Sequence, residues 1–198
     1  MGKIKSYQKI RQVNDLRKEM KSKQKKLEKQ IFTSQKSAGE YNVSVSMLGN
    51  RQTQHVHVKD KDGNLVVAMN QDILDAIAQA TTDVLNQIGT ARDQLFNAAT
   101  KALIDENNKT KTINKELQAA QKDLNKQDFK GFAHLKANEN QPTVSCSFKG
   151  TYECTSIDAI NTDDLSTGKL SRLLTRSINT GVANIDLATD VIYDKYAH

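Results

Sequence analysis

The stretch Val144-Ser145-Cys146-Ser147-Phe148-Lys149-Gly150 repeats, 101 positions later, the pattern of Val43-Ser44-Val45-Ser46-Met47-Leu48-Gly49. An internal repeat restricts the fold more than any single element does, because both copies must build the same unit. Ile157 follows Val56 at the same offset. Beyond that the offset falls to 97, matching Ile73, Ile77, Leu85, Ile88 and Leu95 to Leu170, Leu174, Val182, Ile185 and Ile192. A four-residue deletion in the strand-to-helix loop accounts for the change. Before the second copy's strands, Ile113, Leu117 and Leu124 stand where the first copy opens with an apolar helical stripe.

Within a copy the hydrophobic period changes from helix to strand and back. Ile10, Val13, Leu16, Met20, Leu27 and Ile31 lie three or four apart in the main, predicting a first helix from about Ile4 to Lys36. Tyr41, Val43, Val45 and Met47 then alternate with polar residues, and Gln54 to Lys59 reads as a returning strand. Asp62-Gly63 suits a hairpin turn before a third strand, Leu65 to Met69, because that pair accepts positive φ at little cost. Asn70 to about Leu124 is helical again, with Asn70 as cap and Asp72 in the first turn, where a carboxylate favours the helix dipole. The polar run Asp105 to Thr110 predicts a turn between two helices, although no Gly or Pro forbids one continuous helix. The expectation is an α+β chain of two tandem helix-three-strand-helix repeats, 1–106 and 107–198, packed as a pseudo-two-fold pair with projecting helical prongs. A unit this small has few core residues and exposed sheet edges, so a covalent partner copy is a natural source of stability.

Charge is distributed unevenly over this repeat. Residues 1–40 hold twelve Lys or Arg against Asp15, Glu19, Glu28 and Glu40, whereas the whole chain carries only +6. A basic first element points to an anionic partner, with nucleic acid ahead of a membrane surface. The helix's apolar stripe is narrow and broken between Met20 and Leu27, which suits packing on another helix better than lying in a bilayer interface. No run of twenty apolar residues occurs, and Met1 to Glu28 lacks the apolar core of a signal peptide, so the expected location is cytoplasmic with no membrane partner. Aromatic residues make up 5% and Trp is absent, which argues against a platform for stacking single-stranded bases.

Other motifs have plain explanations. His55 and His57 point to one face of a strand and could begin a zinc site, but their counterparts Ser156 and Asp158 do not extend it. Cys146 and Cys154 are equidistant from Gly150 and would face each other across a hairpin; packing is the favoured role, since a cytosolic chain keeps such thiols reduced. Asp60-Lys61-Asp62-Gly63-Asn64 lacks the ligand spacing of a calcium loop. Ser166-Thr167-Gly168-Lys169 lacks the first Gly of a phosphate loop and opens the last helix instead. With no nucleophile elbow, catalytic carboxylate pair or dinucleotide fingerprint, the expectation is a non-enzyme without metal or cofactor.

The cations carry the functional expectation. Lys9, Arg11, Arg17, Lys18, Lys21, Lys25, Lys26 and Lys29 on the first helix are the candidate DNA-binding residues. Lys109, Lys111, Lys115 and Lys122, on the equivalent helix of the second copy, form a weaker second set. Lys and Arg that neutralise duplex phosphates release condensed counterions and bind without reading sequence.

The charged first helix, the strands VSVSMLG and VSCSFKG ending in Gly, the second strands QHVHVKD and CTSIDAI, and the helices ILDAIAQATTDVLNQI and LSRLLTRSINTGVANI together resemble the YbaB/EbfC group of bacterial nucleoid-associated proteins. The resemblance covers nearly the whole chain, once per half. It implies a dimer-like body with helical prongs that contact double-stranded DNA, and a place in the bacterial nucleoid; a cellular or a mobile-element origin fits the sequence equally. This chain departs from the group by fusing two copies, and its second copy is less basic: residues 137–198 carry five Lys or Arg against eight Asp or Glu. The alternative is a protein-interaction scaffold that uses the prongs and sheet to hold a protein partner. Further association into a homo-oligomer is open at this stage.

Overall fold

The computed structural model describes residues 2–67, 69–100, 110–136 and 140–196, without the side chains of 2–13, 98–100, 110–114 and 196. The order is α1 (Gly2–Lys29), β1 (Ile31–Ala38), β2 (Tyr41–Leu48), β3 (Thr53–Lys59) and α2 (Gln71–Thr100). The second half follows with α3 (Thr110–Leu124), β4 (Asp128–Ala133), β5 (Val144–Lys149), β6 (Cys154–Ala159) and α4 (Thr167–Tyr196). The strands form two antiparallel sheets, in the orders β1-β2-β3 and β4-β5-β6. The mixed α+β class expected from sequence is present.

Two elements differ from the sequence reading. The first helix stops at Lys29 rather than Lys36, and residues 31–38 form β1, paired with β2 from Ile31 opposite Leu48 to Ala38 opposite Tyr41. Its inward positions, Ser34 and Ala38, are small and four apart, a spacing that imitates a helix. Leu65 to Met69 is not a strand: among its described residues only Leu65 makes a bridge, to Lys59. The Asp60 carboxylate instead accepts the backbone N–H of Asp62 at 2.9 Å and of Asn64 at 2.8 Å, closing the loop locally. The expected turn at Asp105 to Thr110 lies outside the described residues except for Thr110, where α3 begins, and the boundary at 106 lies outside them altogether.

Corresponding strand joints are built alike. The β2–β3 pairing shifts register between Ser46 and Met47, and β5–β6 shifts between Ser147 and Phe148. Arg51 and Tyr152 follow these strands with φ of 68° and 65°. At Gly49 a Cβ would run into the carbonyl of Leu27, and at Gly150 into the carbonyl of Leu124, so the end of each leading helix sits directly on the turn. The register shift also corrects the cysteine reading. Cys154 stands opposite Phe148 and Cys146 opposite Ile157; both thiols are free and buried. Burial pushes the Cys146 thiol up to about 12, so it stays protonated.

One apolar cluster draws on both halves, from Ala38 to Ile185. α2 lies on β1 and β2 of its own half and on β6 of the other, while α4 lies on β4, β5 and β3. The helices also complete the opposite sheets: the Asn179 side chain accepts the Thr53 N–H at 2.7 Å, and the Thr82 hydroxyl accepts the Cys154 N–H at 2.9 Å. Asn70 caps α2 as expected, its Oδ1 accepting the Ile73 N–H at 2.9 Å, and at the start of α4 the Lys169 N–H donates to Ser166 Oγ at 3.3 Å. α4 approaches β4 closely. A Cβ on Gly131 would meet the Ser177 carbonyl and the Gly181 backbone, and Ser177 Oγ donates to the Gly131 carbonyl at 2.9 Å.

Candidate nucleic-acid interface

α1 packs on α2, and α3 packs on α4. Leu16, Met20 and Leu27 of α1 are half-buried, and at 3.6 residues per turn they fall on one narrow side of the helix. Lys18, Lys21, Lys25 and Lys29 are exposed and fall within about 80° of arc on the side away from that stripe. Arg17 and Lys26 are also exposed but lie at the two edges of this face. The stripe therefore fixes the helix while leaving its cations to solvent. From Lys18 to Lys29 the face spans about 16 Å at 1.5 Å per residue, the length of about five phosphate intervals along one DNA strand. Lys23 is engaged by Glu19 at 2.7 Å, and that hydrogen bond and charge hold the Glu19 carboxyl below its ordinary range.

The second set is thinner. Lys115 and Lys122 are exposed on α3 and sit 97 positions after Lys18 and Lys25. Glu116 and Asp123 interleave with them, and Asp123 lies 3.6 Å from Lys126. Lys109 lies outside the described residues, as do the side chains of Lys9, Arg11 and Lys111. The described candidates thus divide between two helix pairs, with the denser set on α1.

Between the halves lies a polar cluster that sequence reasoning missed. Arg51 Nη1 donates to Asp186 Oδ1 at 2.6 Å and to the Tyr152 hydroxyl at 2.8 Å, and that hydroxyl donates to Asp186 at 2.6 Å. Burial pushes the Tyr152 phenol upward, so it remains a donor. Burial, followed by the charge of Arg51, pushes the Arg92 guanidinium of α2 downward. The 101-residue offset, which makes Arg51 and Tyr152 counterparts, was the available signal for this meeting.

His55 and His57 share a face of β3, as their spacing requires, with rings stacked at 4.3 Å between centroids and 17° apart. No group of three or more metal-ligating side chains occurs among the described residues. No helix there is long and apolar enough to cross a membrane. Compared with models of protein families and with curated proteins, the chain matches none.

Proposed function

We propose that this chain is a non-enzymatic, nucleoid-associated protein that binds double-stranded DNA with little sequence preference, chiefly through the cationic face of α1. In this reading the halves form a pseudo-two-fold pair, a single-chain counterpart of the YbaB/EbfC dimer, with α1–α2 and α3–α4 as its arms. The observation that carries the proposal is the division of α1 into a half-buried stripe of Leu16, Met20 and Leu27 and an exposed face of Lys18, Lys21, Lys25 and Lys29 on the side away from it. A solubilising helix needs charge of either sign, whereas these four positions carry one sign, with Glu28 at the edge of their face. The pairing of halves is supported by the reciprocal lodging of α2 on β6 and α4 on β3.

Fluorescence anisotropy of a random-sequence duplex, titrated at several salt concentrations, tests the proposal. Binding is expected to fall with a log–log slope of about −4 to −6, corresponding to five or six phosphate contacts. A variant with Lys18, Lys21, Lys25 and Lys26 changed to Gln should bind weakly. No binding at low salt overturns the DNA reading and turns attention to the scaffold alternative.

A further inference from the structure

The outward face of α4 changes chemistry along its length. Arg172 and Arg176 are exposed near its start, Ala183 at its middle, and Asp190 and Asp194 toward its end. Leu187 and Val191 share this face at 65% and 63% exposure, and all seven residues fall within about 100° of arc. None of the four charged residues has an ion-pair partner among the described residues.

The other half supplies an internal comparison. At the 97-residue offset, Thr90 and Gln94 of α2 stand where α4 has Leu187 and Val191, and Asp75 and Gln79 stand where it has Arg172 and Arg176. Thr90 and Gln94 are exposed as well, so the fold accepts polar residues there. The apolar pair and the arginines are additions made on one helix only.

Their arrangement is self-complementary. Arg172 precedes Ala183 by as many residues as Asp194 follows it, and Arg176 and Asp190 are likewise equidistant from it. An antiparallel copy of the helix centred on Ala183 sets Arg172 opposite Asp194 and Arg176 opposite Asp190. A two-fold axis makes each pairing twice. The small side chain of Ala183 permits close approach at the axis, and the methylene stems of the arginines cover Val191.

We propose that two copies of this chain associate through the outward faces of their α4 helices, as an antiparallel pair with a two-fold axis at Ala183. The interface is separate from the cationic face of α1 and does not rest on DNA binding. Because it is isologous, association stops at the dimer.

Sedimentation velocity of the full chain without DNA, across the micromolar range, tests this. Wild type should show a reversible monomer–dimer equilibrium. Two double variants, Asp190→Arg with Asp194→Arg and Arg172→Asp with Arg176→Asp, should each weaken self-association by at least about tenfold, because like charges then oppose. An equimolar mixture of the two should dimerise again, since one face is now wholly basic and the other wholly acidic. That recovery also shows that both variants fold. A strictly monomeric wild type, growth beyond the dimer, or a mixture that stays monomeric would overturn the proposal.

Discussion

Arg51 lies over the ring of Tyr152, its Cζ 4.0 Å from the ring centroid, so two residues in equivalent turns of the two halves are stacked on one another. Asp186 of α4 joins both through hydrogen bonds. The Arg51 side chain is 14% exposed and that of Asp186 38%, so the pair lies between a screened surface bridge and a buried one. Arg51→Ala should destabilise the chain by about 1–3 kcal/mol, and Tyr152→Phe, which removes one hydroxyl, by about 1 kcal/mol. Urea denaturation monitored by circular dichroism measures both; an unchanged midpoint for Arg51→Ala would mean that the cluster does not hold the halves together.

The N–H groups of Thr53 and Cys154 belong to residues 3% and 7% exposed, and each depends on a side chain from the opposite half. Asn179→Ala and Thr82→Val leave a buried donor without its partner, which costs about 1–3 kcal/mol. Amide hydrogen exchange should quicken at residue 53 in the first variant and at residue 154 in the second. Uniform acceleration in either would point to general loosening instead.

Gly150 faces the Leu124 carbonyl with no room for a methyl group. Gly150→Ala must displace the end of α3 from the turn, and a loss of about 2 kcal/mol or more is expected. Gly168→Ala is the control, since nothing lies within 4 Å of a Cβ there. Thermal unfolding should separate the two.

Burial, then the charges of His55 and Lys59, hold His57 below its ordinary pKa of 6.5. Above that value the imidazole is neutral in folded and unfolded chains alike, and it contributes no pH dependence. As the pH falls through 6.5 toward the depressed folded value, the unfolded chain takes up the proton first, so stability falls. The melting temperature should therefore drop on acidification through this window, and by less in His57→Gln. Equal drops would assign the effect to other groups.

Under the proposed DNA-binding function, the two cationic helices should contribute unequally to affinity. Changing Lys18 and Lys25 to Gln is expected to reduce the magnitude of the salt slope by about 2, whereas changing their counterparts Lys115 and Lys122, which alternate with Glu116 and Asp123, should reduce it less. Paired anisotropy titrations compare them. An equal loss would show that both arms grip the duplex alike.

The strands with large inward residues were legible in the sequence, and β1 was not. Val43, Val45 and Met47 are buried and alternate with smaller polar residues, so their period declares a strand. β1 lies beneath α2, and its buried positions are filled by Ser34 and Ala38; in β4 they are filled by Gly131 and Ala133. A helix lying this near removes the large apolar side chains on which the period is read. Ile31, four residues after Leu27, continued the helical spacing, yet it is 64% exposed. In the candidate interface the cations themselves were plain, as was the stripe opposite them. Arg51, Tyr152 and Asp186 were hidden because their meeting depends on how the two halves are placed, which no local pattern encodes.

The sharing of helices between sheets also sets an order of events during synthesis. Thr82 precedes its partner Cys154 by 72 residues, so α2 leaves the ribosome well before the strand it must cap. The nascent first half therefore carries an unfinished apolar surface, and closing it means joining segments far apart in sequence, a slow step by topology. A neighbouring nascent chain offers the same missing strand, and newly made molecules can exchange halves before each closes on itself.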